Sequence, residues 1–189
     1  MHLPSGPSGG NRIVLSFKFQ LMRIIRLVIV SIIVFFIIIT TISLFIPSHI
    51  QMAKAVQINA PKDSVMEQLS DPRNWRNWYP GGDSSKFFYK NDTIKGLILD
   101  ETNQRDIIIT DKKEDEVMAV YLLANKKIPT GWKILSVEDP NSVTVQWYID
   151  FHLRWYPWEK FTSFMFEKVY DPQLQKGLNN LKAYVEKHQ

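Results

Sequence analysis

The sequence predicts an α+β domain set behind a single apolar N-terminal helix. Three observations carry this. Leu27–Ile46 is an unbroken apolar run; Ser142 to Trp155 alternates apolar and polar residues along its whole length; and Leu174, Leu178, Leu181 and Val185 form a stripe at helical spacing near the end. A chain of 189 residues holds one domain plus an appendage. With 45% hydrophobic and 22% charged residues it is a folding chain, not a disordered one. It has no cysteine, which excludes disulfides, thiolate nucleophiles and cysteine-based zinc or iron–sulfur sites.

The net charge of +4 is local. Residues 1–26, a basic tail, hold Arg12, Lys18, Arg23 and Arg26 and no acid. The other 19 basic side chains match the 19 acidic ones, so no nucleic-acid partner is expected. Residues 1–21 open rich in Gly, Pro and Ser, whereas Met22-Arg23-Ile24-Ile25-Arg26 suits the start of a membrane anchor; Met22 is read as the start of translation, with Met1 the alternative.

Leu27–Ile46 contains no charge, and its polar groups are only Ser31, Thr40, Thr41 and Ser43. As a helix it spans about 30 Å, a bilayer core. Hydroxyls return their hydrogen bonds to the helix backbone and do not spoil such a span. The four cations of the tail precede it with no acid among them, and Pro47 to Ala53 after it hold only His49 as a titratable group, which places the N-terminus in the cytoplasm and the rest of the chain outside a cell membrane crossed once. A cleaved signal peptide is the competing reading, with Ala53-Lys54-Ala55 as its formal site, although such cores are usually shorter. Pro47 stops the helix, 47–50 form a tether, and 51–189 form the domain.

In that domain Met52–Ile58 reads as a strand. Pro61 opens a short helix with Val65, Met66 and Leu69 inward and Asp63 and Glu67 outward. Asp71-Pro72 starts a second short helix through Asn77, with Asp71 as its N-cap. Strands are expected over Lys86–Lys90, Thr93–Asp100 with a bulge at Gly96, Asp106–Asp111, Glu116–Leu123 and Gly131–Glu138, with a turn at Asp139-Pro140-Asn141. Ser142–Trp155 is the longest strand. Its dry parity holds Val143, Val145, Trp147, Ile149, Phe151, Leu153 and Trp155. Trp158–Val169 is helical, and Asp171-Pro172 then starts the final helix. The leucine stripe of that helix must bury itself against the dry face of the sheet.

Several segments resemble the START-like (SRPBCC) superfamily, which includes polyketide cyclase/dehydrase-type and lipid-transfer proteins. Ile58-Asn59-Ala60-Pro61 with Val65 resembles its opening strand and helix, and Asp71 to Pro80 (DPRNWRNWYP) its D-x3-W-x2-W-x-P segment. Val143 to Trp147 (VTVQW) resembles its T-x-V-x-W strand, with Val143 in place of the usual Thr, and Gly177 to Lys182 (GLNNLK) its closing helix. The likeness is greatest to small bacterial members with one N-terminal membrane helix. It implies a helix-grip fold: an antiparallel sheet wrapped on a long C-terminal helix, with a hollow between them.

That hollow is expected to bind a hydrophobic small molecule or lipid. Trp75, Trp78 and Tyr79 are expected at its mouth. Trp147, Phe151 and Trp155 are expected in its wall, with Leu178 and Leu181 opposite. The competing reading is that these rings simply fill the core. No nucleophile elbow, P-loop, dinucleotide fingerprint, H-E-x-x-H or EF-hand spacing occurs, so no catalytic residue, cofactor or metal is expected. The alternatives are a cyclase/dehydrase- or hydrolase-type enzyme using His152, Asp150 or Tyr148 as acid or base, and a protein-interaction module. Asn91-Asp92-Thr93 forms a glycosylation sequon. Trp155-Tyr156-Pro157-Trp158 suits either a packed strand-to-helix corner or contact with lipid.

Overall fold

The computed structural model describes residues 10–102, 104–124 and 126–188; the opening of the basic tail, with Met1 and His2, lies outside them. The chain divides into two compact units, Met1–Ile46 and Pro47–Gln189. In the first, α1 runs from Gly10 to Leu44. It starts well before the apolar run, because neither glycine nor proline interrupts the helix after Gly10. The 27 residues Lys18–Leu44 are long and apolar enough to cross a bilayer. Thr41 Oγ1 donates to the Ile37 carbonyl at 2.8 Å, the backbone return expected of a hydroxyl there. The helix ends in tighter turns, Phe45 N–H to Ile42 O and Ile46 N–H to Ser43 O, before Pro47.

The second unit contains β1 (His49–Ile58), α2 (Lys62–Ser70), β2 (Lys86–Lys90), β3 (Thr93–Asp100), β4 (Arg105–Lys112), β5 (Glu116–Leu123), β6 (Lys126–Asp139), β7 (Ser142–His152), α3 (Pro157–Thr162) and α4 (Phe166–Lys187). The strands form one antiparallel sheet in the order β1-β7-β6-β5-β4-β3-β2. With α4 laid along it, this is the helix-grip α+β architecture. The parity of β7 decides which way the sheet faces. Val143, Val145, Trp147, Ile149 and Phe151 are all buried, alternating with half-covered neighbours. Across from them lie Leu174, Leu178, Leu181 and Val185 of α4 and Val65 and Leu69 of α2, all buried. Gly96 sits opposite the bulge at Phe88/Tyr89, and a Cβ there would run into the Ile107 carbonyl.

Several boundaries differ from the sequence reading, each for a physical reason. β7 stops at His152 because its partner β1 begins at His49; the next amide, Leu153 N–H, goes to the Ser48 carbonyl at 2.7 Å. Arg154 and Trp155 therefore lie outside the sheet. Asp71 does not cap a helix. It takes the Arg73 N–H at 2.9 Å and the Arg73 guanidinium, and only the 3-10 turn Asn74–Asn77 follows. The final helix does not start at Asp171-Pro172. It runs from Phe166 straight through Pro172, and the Asp171 carboxylate pairs with Lys54 on β1 at 2.6 Å.

Candidate functional site

The inner face of the sheet is filled at one end and open at the other. At the filled end α2 and the turn after it deliver Trp75, Trp78 and Tyr79 onto Trp132 of β6 and Trp147 of β7. Ring centroids there are 5.0 Å apart for Trp75–Trp132, 5.2 Å for Trp132–Trp147 and 5.3 Å for Tyr79–Trp147. The Trp75 indole donates to the Leu69 carbonyl at 2.9 Å. The Trp147 indole donates to Thr130 Oγ1 at 3.0 Å, which in turn donates to the Tyr148 carbonyl at 2.6 Å. Each buried ring polar group that is so held locks its ring.

Trp75 and Trp78 belong to the core and not to a mouth, at 0% and 1% exposed, whereas Tyr79 borders the cavities beside it. Leu178 and Leu181 are likewise fully buried. Gly177 brings α4 close to the sheet, since a Cβ there would overlap Trp147 Cζ3. The hollow expected between Trp147 and the leucine stripe is thus closed at that level. A small pocket of about 20 Å³ lies beside Trp147, lined also by Tyr79, Tyr121, Ile149, Tyr170 and Leu174.

The space opens on either side of this constriction. One cavity, of about 280 Å³, is bordered by Tyr79, Arg105, Tyr121, Trp147, Gln173 and Lys176, so the predicted residues Tyr79 and Trp147 both face it. The other is a groove of about 660 Å³ between the ends of β5, β6 and β7 and the α3–α4 segment. Leu123, Ile128, Phe151, Trp158, Phe166 and Tyr170 supply its apolar walls. Phe151 packs at a tilt against Phe166 and Tyr170 at centroid distances of 4.3 and 5.0 Å, which makes a continuous aromatic floor. Trp155 is no part of that wall. It lies beyond the strand and is 60% exposed.

The rim is charged. Lys126 of β6 faces Glu159 of α3 at 3.9 Å, and Glu159 also takes the Arg154 N–H at 2.9 Å. Asp150 and His152 reach the rim at the end of β7. His152 is exposed and stacks on His49 with centroids 4.7 Å apart, and His49 Nε2 lies 3.4 Å from the Asp150 carboxylate. Tyr148, the third acid/base candidate, donates to Glu116 at 2.9 Å. Burial and that carboxylate raise its phenol far above the ordinary range. It projects from the face of β7 opposite Trp147 and, unlike Asp150 and His152 on that face, does not border the groove.

Residues that the sequence reading passed over line the constriction. Tyr121 follows Val117 and Ala119 on the buried parity of β5, and Tyr170 follows Phe166 by one helical turn; both positions were available from spacing alone. Burial raises the phenols of Tyr79, Tyr121 and Tyr170, while the neighbouring Arg105 pulls each the other way. All three are therefore protonated hydrogen-bond donors at neutral pH. Among the described residues no set of three or more His, Asp or Glu converges on a metal position.

Residues 49–186 match the family model for polyketide cyclase / dehydrase and lipid transport proteins. No sequence relative is found among curated proteins. A START superfamily protein from Mycobacterium smegmatis superposes with a TM-score of 0.55 at 16% identity, over 74% of this chain and 99% of its own. The Zhui aromatase/cyclase from Streptomyces sp. R1128 gives 0.54 at 14%, over 74% and 95%. Truncated norcoclaurine synthase from Thalictrum flavum gives 0.55 at 7%, over 75% and 96%. At these identities the superpositions establish a shared fold, and the family match covers nearly the whole second unit. The chain belongs to the polyketide cyclase / dehydrase and lipid transport family.

Proposed function

We propose that this chain is a single-pass membrane protein whose START-like domain binds a hydrophobic small molecule or lipid without transforming it. The observation that carries the reading is the 660 Å³ groove with its floor of Phe151, Phe166 and Tyr170. A cleft of that size, walled by apolar side chains and rimmed by charges, suits a guest with an apolar body and a polar end. Tyr79 and Trp147 border the separate 280 Å³ cavity; Trp75 packs on Tyr79 and Trp78 on both rings, and Leu178 and Leu181 are buried in the same core. The apolar stretch of α1, with Leu27–Ile46 as the anchor, supports attachment to a membrane. The cations before it support a cytoplasmic N-terminus and an extracytoplasmic domain.

The test is solvent extraction of the purified full chain followed by mass spectrometry. One class of hydrophobic molecule should be enriched over the lipids of the surrounding membrane. An extract with the composition of bulk membrane overturns the reading.

One observation favours a second reading, a cyclase/dehydrase-type enzyme. Tyr79, Tyr121 and Tyr170 meet beside Arg105, and protonated phenols next to a guanidinium suit stabilisation of a developing enolate oxygen. Under that reading Tyr121→Phe abolishes turnover of the extracted guest and leaves its binding intact. Absence of any turnover by the unmodified chain removes it.

A further inference from the structure

The segment between β7 and α4 turns its side chains the wrong way for a surface surrounded only by water. Pro157, Lys160 and Ser163 face inward, and Lys160 is 4% exposed. Trp155, Trp158, Phe164 and Met165 face outward, each at least 60% exposed, with Phe161 beside them at 39%. A lysine inside and a row of aromatics outside inverts the usual amphipathic arrangement. The outward rings are also pre-ordered: Trp155–Tyr156 and Tyr156–Trp158 centroids are each 4.8 Å apart.

The same segment is fastened to the chain next to the apolar run. Leu153 N–H donates to the Ser48 carbonyl at 2.7 Å, and the Lys160 ammonium donates to Ser48 Oγ at 2.9 Å. Ser48 is the second residue after Ile46, so chain reach alone holds it within about 7 Å of the end of that run. Tryptophan and tyrosine favour the headgroup zone of a bilayer, and short apolar faces settle into the boundary between headgroups and acyl chains.

We propose that Trp155–Met165 is a lipid-docking surface that lies in the headgroup region of the bilayer crossed by α1. This rests on the reading of α1 as a membrane anchor. Trp158 and Thr162 border the 660 Å³ groove, so its mouth opens at the docked surface. A guest then passes between bilayer and groove without crossing water.

The absence of native cysteine makes the test direct. The full chain is reconstituted into phosphatidylcholine vesicles as Phe164→Cys, labelled with a polarity-sensitive fluorophore. Glu114→Cys, whose native side chain is 89% exposed on the turn at the opposite end of the sheet, serves as the reference. The Phe164 position is already solvent-facing, so its replacement leaves the fold intact.

At position 164 the expected result is a blue-shifted emission, quenching by nitroxide-labelled lipid and loss of quenching by aqueous iodide. Position 114 should give the reverse. Vesicles that float with the chain but leave position 164 open to iodide overturn the docking surface alone. So does protection from iodide without quenching by labelled lipid, which means that protein, such as a second copy of the chain, covers the patch. A chain that fails to float with the vesicles overturns the anchor, and the docking surface with it.

Discussion

Gly177→Ala sets two physical effects against each other, and their sign is measurable. Gly177 lies inside α4, where alanine is intrinsically better by about 0.8–1 kcal/mol. Helix propensity alone therefore expects a stabilised variant. Packing expects the opposite, because the added methyl overlaps Trp147 Cζ3 and comes within 3.1 Å of Pro80 Cδ. Trp147 cannot swing aside without losing the 3.0 Å bond from its indole to Thr130 and disturbing the rings of Trp78, Tyr79 and Trp132. Overpacking of this kind costs about 1–3 kcal/mol, and a locked ring sets the cost in the upper part of that range. The expected net is a loss of about 1–2 kcal/mol. Urea unfolding followed by tryptophan fluorescence measures it as a lowered midpoint at unchanged slope. The double variant Gly177→Ala with Trp147→Phe removes the overlapping ring edge, and should lose less than the sum of the single changes. A Gly177→Ala chain as stable as the parent, or more so, refutes the closed contact between α4 and β7.

Other expectations follow from the same contacts. Trp147→Ala should cost about 3–5 kcal/mol by thermal or urea unfolding, because the ring is central to a cluster too constrained to collapse. The guanidinium of Arg73 holds the Asp71 carboxyl below its ordinary 3.8. That contribution to stability is present above the ordinary value and is lost as pH falls below it. Arg73→Ala should move the carboxyl resonance of Asp71 upward in an NMR titration, and an unmoved titration contradicts the pairing. Burial holds the Tyr79 phenol well above its ordinary 10.0, so its stabilisation is full below that value and is lost as pH rises beyond it. Absorbance at alkaline pH should show Tyr79 ionising only with unfolding, which a Tyr79→Phe comparison isolates.

The sequence and the structure agree where the information is local. Strict alternation from Val143 to Phe151 oriented the central face correctly, because a strand with one dry side must carry it in period two. The leucine stripe of α4 was legible for the same reason at helical period. Alternation, however, reports only amphipathicity. It continues to Trp155 although the ladder ends at the His152–His49 pair, with only the Leu153 N–H bond to the Ser48 carbonyl beyond it. Proline at position 172 read as a helix start, yet α4 had already been nucleated six residues earlier at Phe166, and the Asp171–Lys54 pair binds that stretch to β1. The groove was the least legible feature. Its volume depends on how far Leu123 and Ile128 stand from Phe166 and Tyr170, residues about 40 positions apart that no spacing rule connects. The filling of the inner end was equally hidden. It needs Trp75, Trp132 and Trp147, from three separate elements, to meet one another, with Trp147 seated against Gly177 of a fourth.

Photolabelling with a diazirine-bearing fatty acyl probe, on the full chain in a membrane, tests the central claim most directly. Peptide mapping should find adducts on Leu123–Ile128, Phe151 and Phe166–Tyr170, and an excess of unlabelled guest should displace them. Adducts confined to α1 and Trp155–Met165, with the groove residues unlabelled, would contradict the account.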